Sequence, residues 1–409
     1  MNFRDPLVSL IQSAAGTDPL LSRAAEALGL SKQGADPGVA DAEALRCVTL
    51  AHDLLTAAAA DNYEEVARLK SELAFSTCDP RWVETITEYV THTSDPIPYI
   101  RAAVLGNTVL SMKNAATVAI VGDWGTGTDI AIAVLNEIAA HKPDVLIHLG
   151  DVYYSGTEDE VAANFWKPIK TALPDATVLT LCGNHDVYSG GQGYYGLIRS
   201  LGQPASFFCL RSPDQRWQFC AMDTGLHDRD PLEMATNLTY IEPDEEDYLT
   251  ARIAEFPGQT ILLSHHQPFS ALEQIGPAQA DGSFKAVNPK LAASFMRFAL
   301  AAPGRIAAWF WGHEHAFSVY DAYIGLNKGR CLGHGAVPVF VDAPPNPVVA
   351  KIAYPPELMD IPLGNDGDTY KHGYAIVRLD TGAARYYQTG VADPLFIEII
   401  GDSRASPKS

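Results

Sequence analysis

Five short apolar runs, each ending in a polar cluster, recur along the chain between residues 116 and 315. The runs are TVAIVGDWG, DVLIHLGDV, TVLTLCGNHD, QTILLSHHQP and RIAAWFWGHEH. Such runs are typical of buried strands in a sheet whose carboxyl ends meet at one edge. Helix-like stretches, DIAIAVLNEIAAHK and EVAANFWKPIKTAL, separate the first three runs, and each strand–helix–strand span is on the order of 30 residues. The pattern predicts an α/β domain that gathers polar side chains at one edge.

The segments on either side of these runs have different patterns. After residue 315, the stretches GRCLGHGAVPVFVDAPP, GYAIVRL and ARYYQTG predict further strands joined by long loops. Before residue 114, segments such as DAEALRCVTLAHDLLTAAAA carry apolar residues at helical spacing. We therefore predict a helical domain over 1–113, serving packing or homodimer formation, and an α/β domain over 114–409.

Composition narrows the class of partner. Of the 409 residues, 47% are hydrophobic and 19% are charged, which is typical of a globular protein. The formal net charge of −20 argues against nucleic-acid binding through a basic patch. A small anionic substrate remains compatible with this charge, because bound cations reverse the local sign of a site. No apolar run is long enough to span a bilayer.

The amino terminus and the cysteines bear on localisation. The opening MNFRDPLVSLIQSAAG lacks the basic flank and long apolar stretch of a signal peptide. The six cysteines are scattered without a CxxC pair, which favours reduced thiols. We expect a cytoplasmic protein, and export stays open if a presequence has been removed.

The polar clusters at the predicted strand ends contain the residue types that bind metals. They supply Asp123, Asp151, Asn184, His185, Asp186, His265, His266, His313 and His315. Carboxylates, amide oxygens and imidazoles suit hard to borderline cations. Any one of these histidines alone is more simply explained as a core residue, but five such clusters favour a site for two metal ions. Two ions can clamp a phosphoryl group and activate water for attack.

The motifs GDWG, GDVYY, GNHD, LLSHHQP and GHEH resemble, in order, those of the calcineurin-like metallophosphoesterase superfamily. The resemblance covers roughly residues 117–390. It implies a four-layer αββα sandwich with a dinuclear metal centre at the strand ends, here preceded by the helical segment. It also implies hydrolysis of a small phosphoester by a metal-bound hydroxide that attacks phosphorus.

One departure from the common motif points to a subgroup. Many members have Asp-x-His in the first motif, whereas this chain has Gly125 in place of the histidine. Purple acid phosphatases also have glycine there and supply the tyrosine of GDxxY instead, a position that Tyr154 occupies in this chain. Tyr153 is then assigned to packing or to the pocket wall. A tyrosinate favours iron at this site, with iron, zinc or manganese as the second ion.

The resemblance also implies a ligand set. The first ion would be held by Asp123, Asp151, Tyr154 and His315. The second would be held by Asp151, Asn184, His265 and His313, with Asp151 as the bridge. Alignment of LLSHHQPFS on Pro268 alone selects His266 as the ligand. Alignment on the flanking LLS and Phe269-Ser270 selects His265, which we prefer; His266 then faces the pocket or packs.

Three histidines and one aspartate are candidates for roles beside the metal ligands. His185 resembles the histidine that contacts phosphate and protonates the leaving oxygen, and Asp186 is predicted to orient it. His266 and His334, the latter in GHGAVP, are candidates for substrate binding, with a surface role as the alternative for His334.

The sequence thus predicts a phosphomonoesterase of the purple-acid-phosphatase type. The alternative is a phosphodiesterase, of cyclic-nucleotide or phospholipid type, on the same centre. A non-catalytic interaction scaffold is less favoured, because every metal-binding position is filled.

Overall fold

The computed structural model describes residues 81–401 except 232, 234, 235 and 343–345, and a few isolated positions between 57 and 79. Its contacts divide the chain into two units, Met1–Ser94 and Asp95–Ser409. In the first unit, helix α1 spans Arg81–His92 and buries Trp82 and Ile86. Most of the predicted helical domain lies outside the described residues, so that domain and its role in homodimer formation stay predictions.

The second unit begins before the predicted residue 114. Within it, the short helix α2 (Ala102–Leu105) leads to strand β1 (Leu110–Ser111), which pairs in parallel with Phe208–Arg211. The hydroxyl of Tyr99 donates a hydrogen bond to Glu245 at 2.9 Å. Residues 95–113 are therefore part of the packed α/β unit.

A six-stranded sheet carries the first three predicted strands. Its order is β17-β16-β15-β2-β3-β4, with β2, β3 and β4 parallel to one another. The strands are β2 Thr117–Val121, β3 Val145–His148, β4 Thr177–Thr180, β15 Gly373–Arg378, β16 Ala383–Gln388 and β17 Phe396–Ile399. The predicted strands at both ends of the α/β domain thus share one sheet.

A seven-stranded sheet carries the other two. Its order is β1-β5-β6-β7-β9-β11-β10, and β6, β7, β9 and β11 run parallel. The strands are β5 Phe208–Arg211, β6 Trp217–Ala221, β7 Gln259–Leu263, β9 Ile306–Trp311, β10 Phe317–Tyr320 and β11 Gly329–Leu332. All five strands predicted from the apolar runs are confirmed.

The remaining elements are helices and short two-residue strands. The helices are α3 Asp129–Ala140, α4 Glu158–Glu160, a π-helical turn Val161–Trp166, α5 Lys167–Ala172, α6 His185–Tyr188, α7 Gln192–Leu201, α8 Pro243–Glu255, α9 Pro289–Ala301 and a 3₁₀ turn Val349–Lys351. The short strands are β8 Phe284–Lys285, β12 Ile352–Ala353, β13 Asn365–Asp366 and β14 Thr369–Tyr370.

Three apolar layers hold the α/β unit together. The central layer lies between the sheets, where Val118 and Ile147 of one sheet share a cluster with Phe219 of the other. Helix α3 and the 158–172 helices cover the outer face of the six-stranded sheet, and α8 and α9 cover that of the seven-stranded sheet. This is the predicted four-layer αββα sandwich. In the part of the chain that the structure describes, no helix is long and apolar enough to cross a membrane.

Candidate metal centre and active site

The carboxyl ends of β2, β3 and β4 deliver the first group of predicted ligands. Asp123 follows β2, Asp151 follows β3 and Asn184 follows β4. Because these three strands are parallel neighbours, their ends meet at one edge of the six-stranded sheet. All three side chains are buried, with no more than 1% of their surface exposed.

The seven-stranded sheet delivers the histidines to the same place. His265 follows β7, and His313 and His315 follow β9, its parallel neighbour. The backbone N–H of His313 donates to Asp123 Oδ2 at 2.8 Å, which ties the edges of the two sheets together. The structure thus brings six predicted ligand positions to one site.

Two motif glycines are required by this close approach. A Cβ atom on Gly183, in GNHD, would lie 2.0 Å from Asp151 Oδ1. A Cβ atom on Gly312, in GHEH, would lie 2.5 Å from Asp123 Oδ2. Any side chain at either position would therefore displace a predicted metal ligand.

The predicted second-metal ligands have the spacing of a coordination shell. His265 Nε2 lies 3.1 Å from Asn184 Oδ1 and 3.4 Å from Asp151 Oδ2. His313 Nδ1 lies 3.2 Å from Asn184 Oδ1 and 3.3 Å from His265 Nε2. Ligands about 2.1 Å from a shared cation stand roughly 3.0–3.4 Å apart in octahedral or tetrahedral geometry. These four side chains fit one cation.

Hydrogen bonds outside this shell orient two of its members. The Nδ1–H of His265 donates to the carbonyl of Leu149 at 3.0 Å, which leaves the Nε2 lone pair facing the other ligands. The side-chain amide of Asn184 donates to the hydroxyl of Tyr188, which directs Oδ1 toward His265 and His313. Sequence reasoning missed Tyr188; its place four residues after Asn184, one helical turn on, is the signal that was available.

The first-metal position contains a tyrosine, but it is Tyr153 rather than the predicted Tyr154. The Tyr153 hydroxyl donates to Asp123 Oδ1 at 3.0 Å and lies 2.9 Å from His315 Nε2. His315 Nε2 is itself 3.6 Å from Asp123 Oδ1. Tyr153, which we had assigned to packing or the pocket wall, therefore occupies the place assigned to Tyr154.

The backbone explains why the earlier tyrosine faces the site. The N–H of Tyr153 donates to the Gly125 carbonyl at 2.9 Å, which aligns this segment beside the loop of Asp123. The N–H of Tyr154 is instead bound by the Glu160 carboxylate, and its carbonyl accepts from His185. These contacts set the direction of each side chain, and motif spacing does not contain them.

Several predicted ligands have a positive φ angle, a backbone conformation that residues other than glycine rarely adopt. The φ angles are 54° at Asp123, 75° at Asp151, 68° at His313 and 25° at His315. Non-glycine residues with positive φ are uncommon, and such conformations concentrate at functional sites. The tight turns at the strand ends thus direct these side chains inward.

The protonation tendencies of the site suit a cation. Burial raises the pKa of the Asp123 and Asp151 carboxyls well above their usual range, so two adjacent carboxylates without a cation are unfavourable. Burial lowers the pKa of His265 and His313 well below the usual range, which keeps both imidazoles neutral. Metal ligation requires neutral imidazoles, and a cation offsets the carboxylate charge.

The family comparison agrees with this arrangement. Residues 116–317 match the family model described as calcineurin-like phosphoesterase. This segment belongs to the calcineurin-like phosphoesterase family. The match spans the strand ends that carry all the predicted metal ligands. Members of this family have a dinuclear metal centre, which agrees with the two groups of candidate ligands found here.

Three of the solved structures that this chain is similar to are the following. A purple acid phosphatase from yellow lupin seeds is 13% identical, at a TM-score of 0.46, over 70% of this chain and 53% of that one. The GAP50 anchor of the Plasmodium inner membrane complex is 12% identical, at a TM-score of 0.45, over 70% of this chain and 89% of that one. A Danio rerio dimetal phosphatase is 13% identical, at a TM-score of 0.44, over 70% of this chain and 99% of that one. This chain thus spans about half of the lupin protein.

No curated protein matches the chain in sequence. Because the three TM-scores lie below 0.5, membership of the family rests on residues 116–317.

His185 lies beside Asp151, the proposed bridging aspartate. Its Nε2 is 3.9 Å from Asp151 Oδ2, and its Nδ1–H donates to the carbonyl of Tyr154 at 2.6 Å. The ring is held against Tyr153 and Tyr188, at centroid distances of 4.4 and 4.8 Å. Burial lowers the pKa of His185 to about 4, so the neutral ring presents an Nε2 lone pair to the site.

Asp186 has a different role from the predicted one. Its carboxylate accepts hydrogen bonds from the backbone N–H groups of Gly183, Asp151 and Val152, at 2.8, 3.0 and 3.1 Å. The group that orients His185 is the Tyr154 carbonyl. Asp186 therefore holds together the two loops that carry Asp151 and Asn184, and these contacts favour a positioning role on the backbone instead of the predicted orientation of His185.

The two candidate substrate-binding histidines lie in different surroundings. His266 has both ring nitrogens engaged, Nδ1 with Thr224 Oγ1 at 2.9 Å and Nε2 with Asp228 Oδ2 at 3.0 Å. It packs beside His313 at a centroid distance of 4.5 Å, and these contacts favour a positioning role. His334 is buried in a loop next to the first-metal position, which excludes the alternative surface role.

Proposed function

We propose that the protein is a dinuclear phosphomonoesterase of the purple-acid-phosphatase type. The observation that carries this proposal is the convergence of Asp123, Asp151, Tyr153, Asn184, His265, His313 and His315 on one buried edge shared by both sheets. Their donor atoms lie 2.9–3.6 Å from their neighbours in two groups. Asp151 lies in the second group and within 4.8 Å of Asp123 in the first, and it is the proposed bridge.

The donor chemistry favours different ions in the two positions. Asp123, Tyr153 and His315, with Asp151, offer two carboxylates, a phenol and an imidazole, a hard set that suits iron. Asn184, His265 and His313, with Asp151, suit iron, zinc or manganese. When bound, such ions supply positive charge to the phosphoryl oxygens and acidify a water molecule for attack.

The protein's own groups would orient the substrate and move a proton. The Nε2 lone pair of His185 faces the site from a ring held rigid between Tyr153 and Tyr188. A dianionic phosphoryl group placed there favours the protonated imidazole, which would then donate to the leaving oxygen. Burial of the surrounding ligands keeps solvent away and strengthens these charge interactions.

The test is hydrolysis of matched esters by protein of measured metal content. We expect about two ions per chain and faster hydrolysis of 4-nitrophenyl phosphate than of bis(4-nitrophenyl) phosphate. Removal of the ions with a chelator should abolish both activities, and their return should restore them. His313→Ala should lose activity, whereas His92→Ala, in helix α1 of the other unit, should not.

Each alternative has its own outcome. Faster hydrolysis of the diester would replace this proposal with the phosphodiesterase alternative on the same centre. Full metal occupancy without hydrolysis of either ester would favour the scaffold alternative instead.

A further inference from the structure

An apolar cavity of about 200 Å³ opens beside the first-metal position. His315, a proposed metal ligand, forms one end, and Phe317, Val337, Val339, Ile361 and Leu363 contribute apolar wall. An apolar cavity of roughly 150 Å³ accommodates a benzene ring. We name this cavity the His315 pocket; it has room for a small ring or a branched alkyl group.

Two buried histidines border the His315 pocket with ring nitrogens that have no partner. Among the described residues, these atoms are Nδ1 of His334 and both ring nitrogens of His372, and each is enclosed with almost no accessible surface. The two residues are only 4% and 5% exposed. A buried polar group without a hydrogen bond costs roughly 1–3 kcal/mol. A ligand that moves the covering side chains aside and offers a suitable polar atom would recover that energy.

The lining of the His315 pocket favours an uncharged ligand group, because its histidines are neutral and its lysine is already hydrogen-bonded. Burial lowers the pKa of His334 to about 3 and that of His372 to about 4, so each offers one N–H donor or one lone pair without charge. The one cation among the described lining residues, Lys371, donates its ammonium to the Thr389 carbonyl at 3.0 Å. A further phosphate or carboxylate would find mostly apolar wall here.

The pocket is fixed to the metal centre by the backbone. The N–H of Ala336 donates to the Asp123 carbonyl at 3.1 Å, and the N–H of Gly333 donates to Ala316 at 3.1 Å. A Cβ atom on Gly333 would meet Asp123 Oδ2 at 3.0 Å, so the loop that carries His334 lies directly against a proposed ligand. The pocket and the metal centre are therefore adjacent, and His315 belongs to both.

We propose that the His315 pocket binds the organic group of the substrate, and that this group is apolar with an uncharged hydrogen-bonding atom. The substrate class would thus be aryl or branched-alkyl phosphoesters rather than sugar phosphates or polyphosphates. This inference rests on the proposed function of the metal centre. His334 and His372 would be specificity-determining residues, of which sequence reasoning found only His334.

The test compares two phosphonates that have the same anionic phosphonate group and differ in the organic substituent that would enter the pocket. Calorimetric titration of the metal-loaded full chain should show phenylphosphonate binding at least tenfold tighter than methylphosphonate. Val339→Phe fills the pocket and should reduce the ratio of the two dissociation constants below threefold. Leu363→Phe is a second filling variant, and Val391→Phe, on an exposed turn, is the control that keeps the ratio.

The histidines are tested with a third probe. Hydroxyphenylphosphonate should bind more tightly than phenylphosphonate to the wild type, and His372→Leu should remove that difference. Equal binding of phenylphosphonate and methylphosphonate, or an unchanged ratio in both filling variants, overturns the proposal and identifies the cavity as a water site.

Hydrolysis of 4-nitrophenyl phosphate is followed on the same samples. Hydrolysis without phosphonate selectivity refutes the pocket alone. Selectivity without hydrolysis refutes the phosphatase alone.

Discussion

The Asp186 carboxylate accepts a hydrogen bond from the backbone N–H of Asp151 at 3.0 Å, although the two residues follow different strands of the sheet. The same carboxylate accepts from Gly183 and Val152, so one side chain joins the loops after β3 and β4. The aspartate of GNHD thus stabilises the site by holding backbone.

Asp186→Asn is expected to destabilise the fold as well as the site. Asparagine replaces one of the two acceptor oxygens with an NH2 donor, so at least one of the three buried N–H groups loses its acceptor. Each unpaired group costs roughly 1–3 kcal/mol. We expect the free energy of unfolding to fall by about 2 kcal/mol or more, measured by urea denaturation. Asp175→Asn, on an exposed turn, is the matched control, and equal stability of the two variants would contradict this role.

Tyr153→Phe should remove the phenol from the first-metal position. We expect loss of iron from elemental analysis and loss of any visible charge-transfer band, because the ring remains without its oxygen donor. Tyr154→Phe, the neighbouring and equally conservative change, should keep both. The opposite result would restore the assignment that motif spacing alone favoured.

Substitution of the two adjacent histidines of LLSHHQP should have different effects on the metal content. His265→Ala removes an imidazole whose Nε2 lies 3.1 Å from Asn184 Oδ1, and it should lower the metal content by about one ion per chain. His266→Ala should keep two ions, because the His266 ring nitrogens bond to Thr224 and Asp228. Loss of an ion from both variants would place His266 among the ligands.

Tyr188→Phe should weaken the second-metal position without removing a ligand. The Tyr188 hydroxyl receives the Asn184 amide N–H, and loss of such an outer partner typically costs 10–100-fold in metal affinity. We expect the dissociation constant of the second ion, measured by chelator competition, to rise at least tenfold. Tyr194→Phe loses a buried hydroxyl that donates to the Thr180 carbonyl and should leave this constant unchanged. An equal effect of both variants would indicate general destabilisation.

His185→Ala should lower the rate of hydrolysis without lowering the metal content. The His185 ring faces the bridge position without being among the proposed ligands, so the metal content should stay at two ions. General acid–base groups contribute roughly 10²–10⁴-fold, and we expect kcat on 4-nitrophenyl phosphate to fall within that range. An unchanged kcat would refute a role for His185 in proton transfer.

The sequence determined the strands and the kinds of ligand. Buried strands of an α/β sandwich need continuous apolar runs, and the polar groups of the site follow their carboxyl ends. Because the apolar run and the polar cluster lie next to each other in the chain, the sequence alone predicts both. The spacing in GNHD and GHEH places Asn184, His313 and His315 because each follows its strand within a few residues. Gly183 and Gly312 stand in the same motifs, but the close approach of the loops that requires glycine there appears only in the folded structure.

Tertiary structure decided which of two neighbouring side chains faces the site. Tyr153 and Tyr154 are chemically equivalent, and their directions depend on hydrogen bonds to Gly125, Glu160 and His185, which come from separate loops. The role of Asp186, and the position of His334 and His372 on one pocket, likewise depend on segments that meet only after folding. Side-chain direction and unmet hydrogen bonds follow from such distant partners, and a one-dimensional pattern does not contain them.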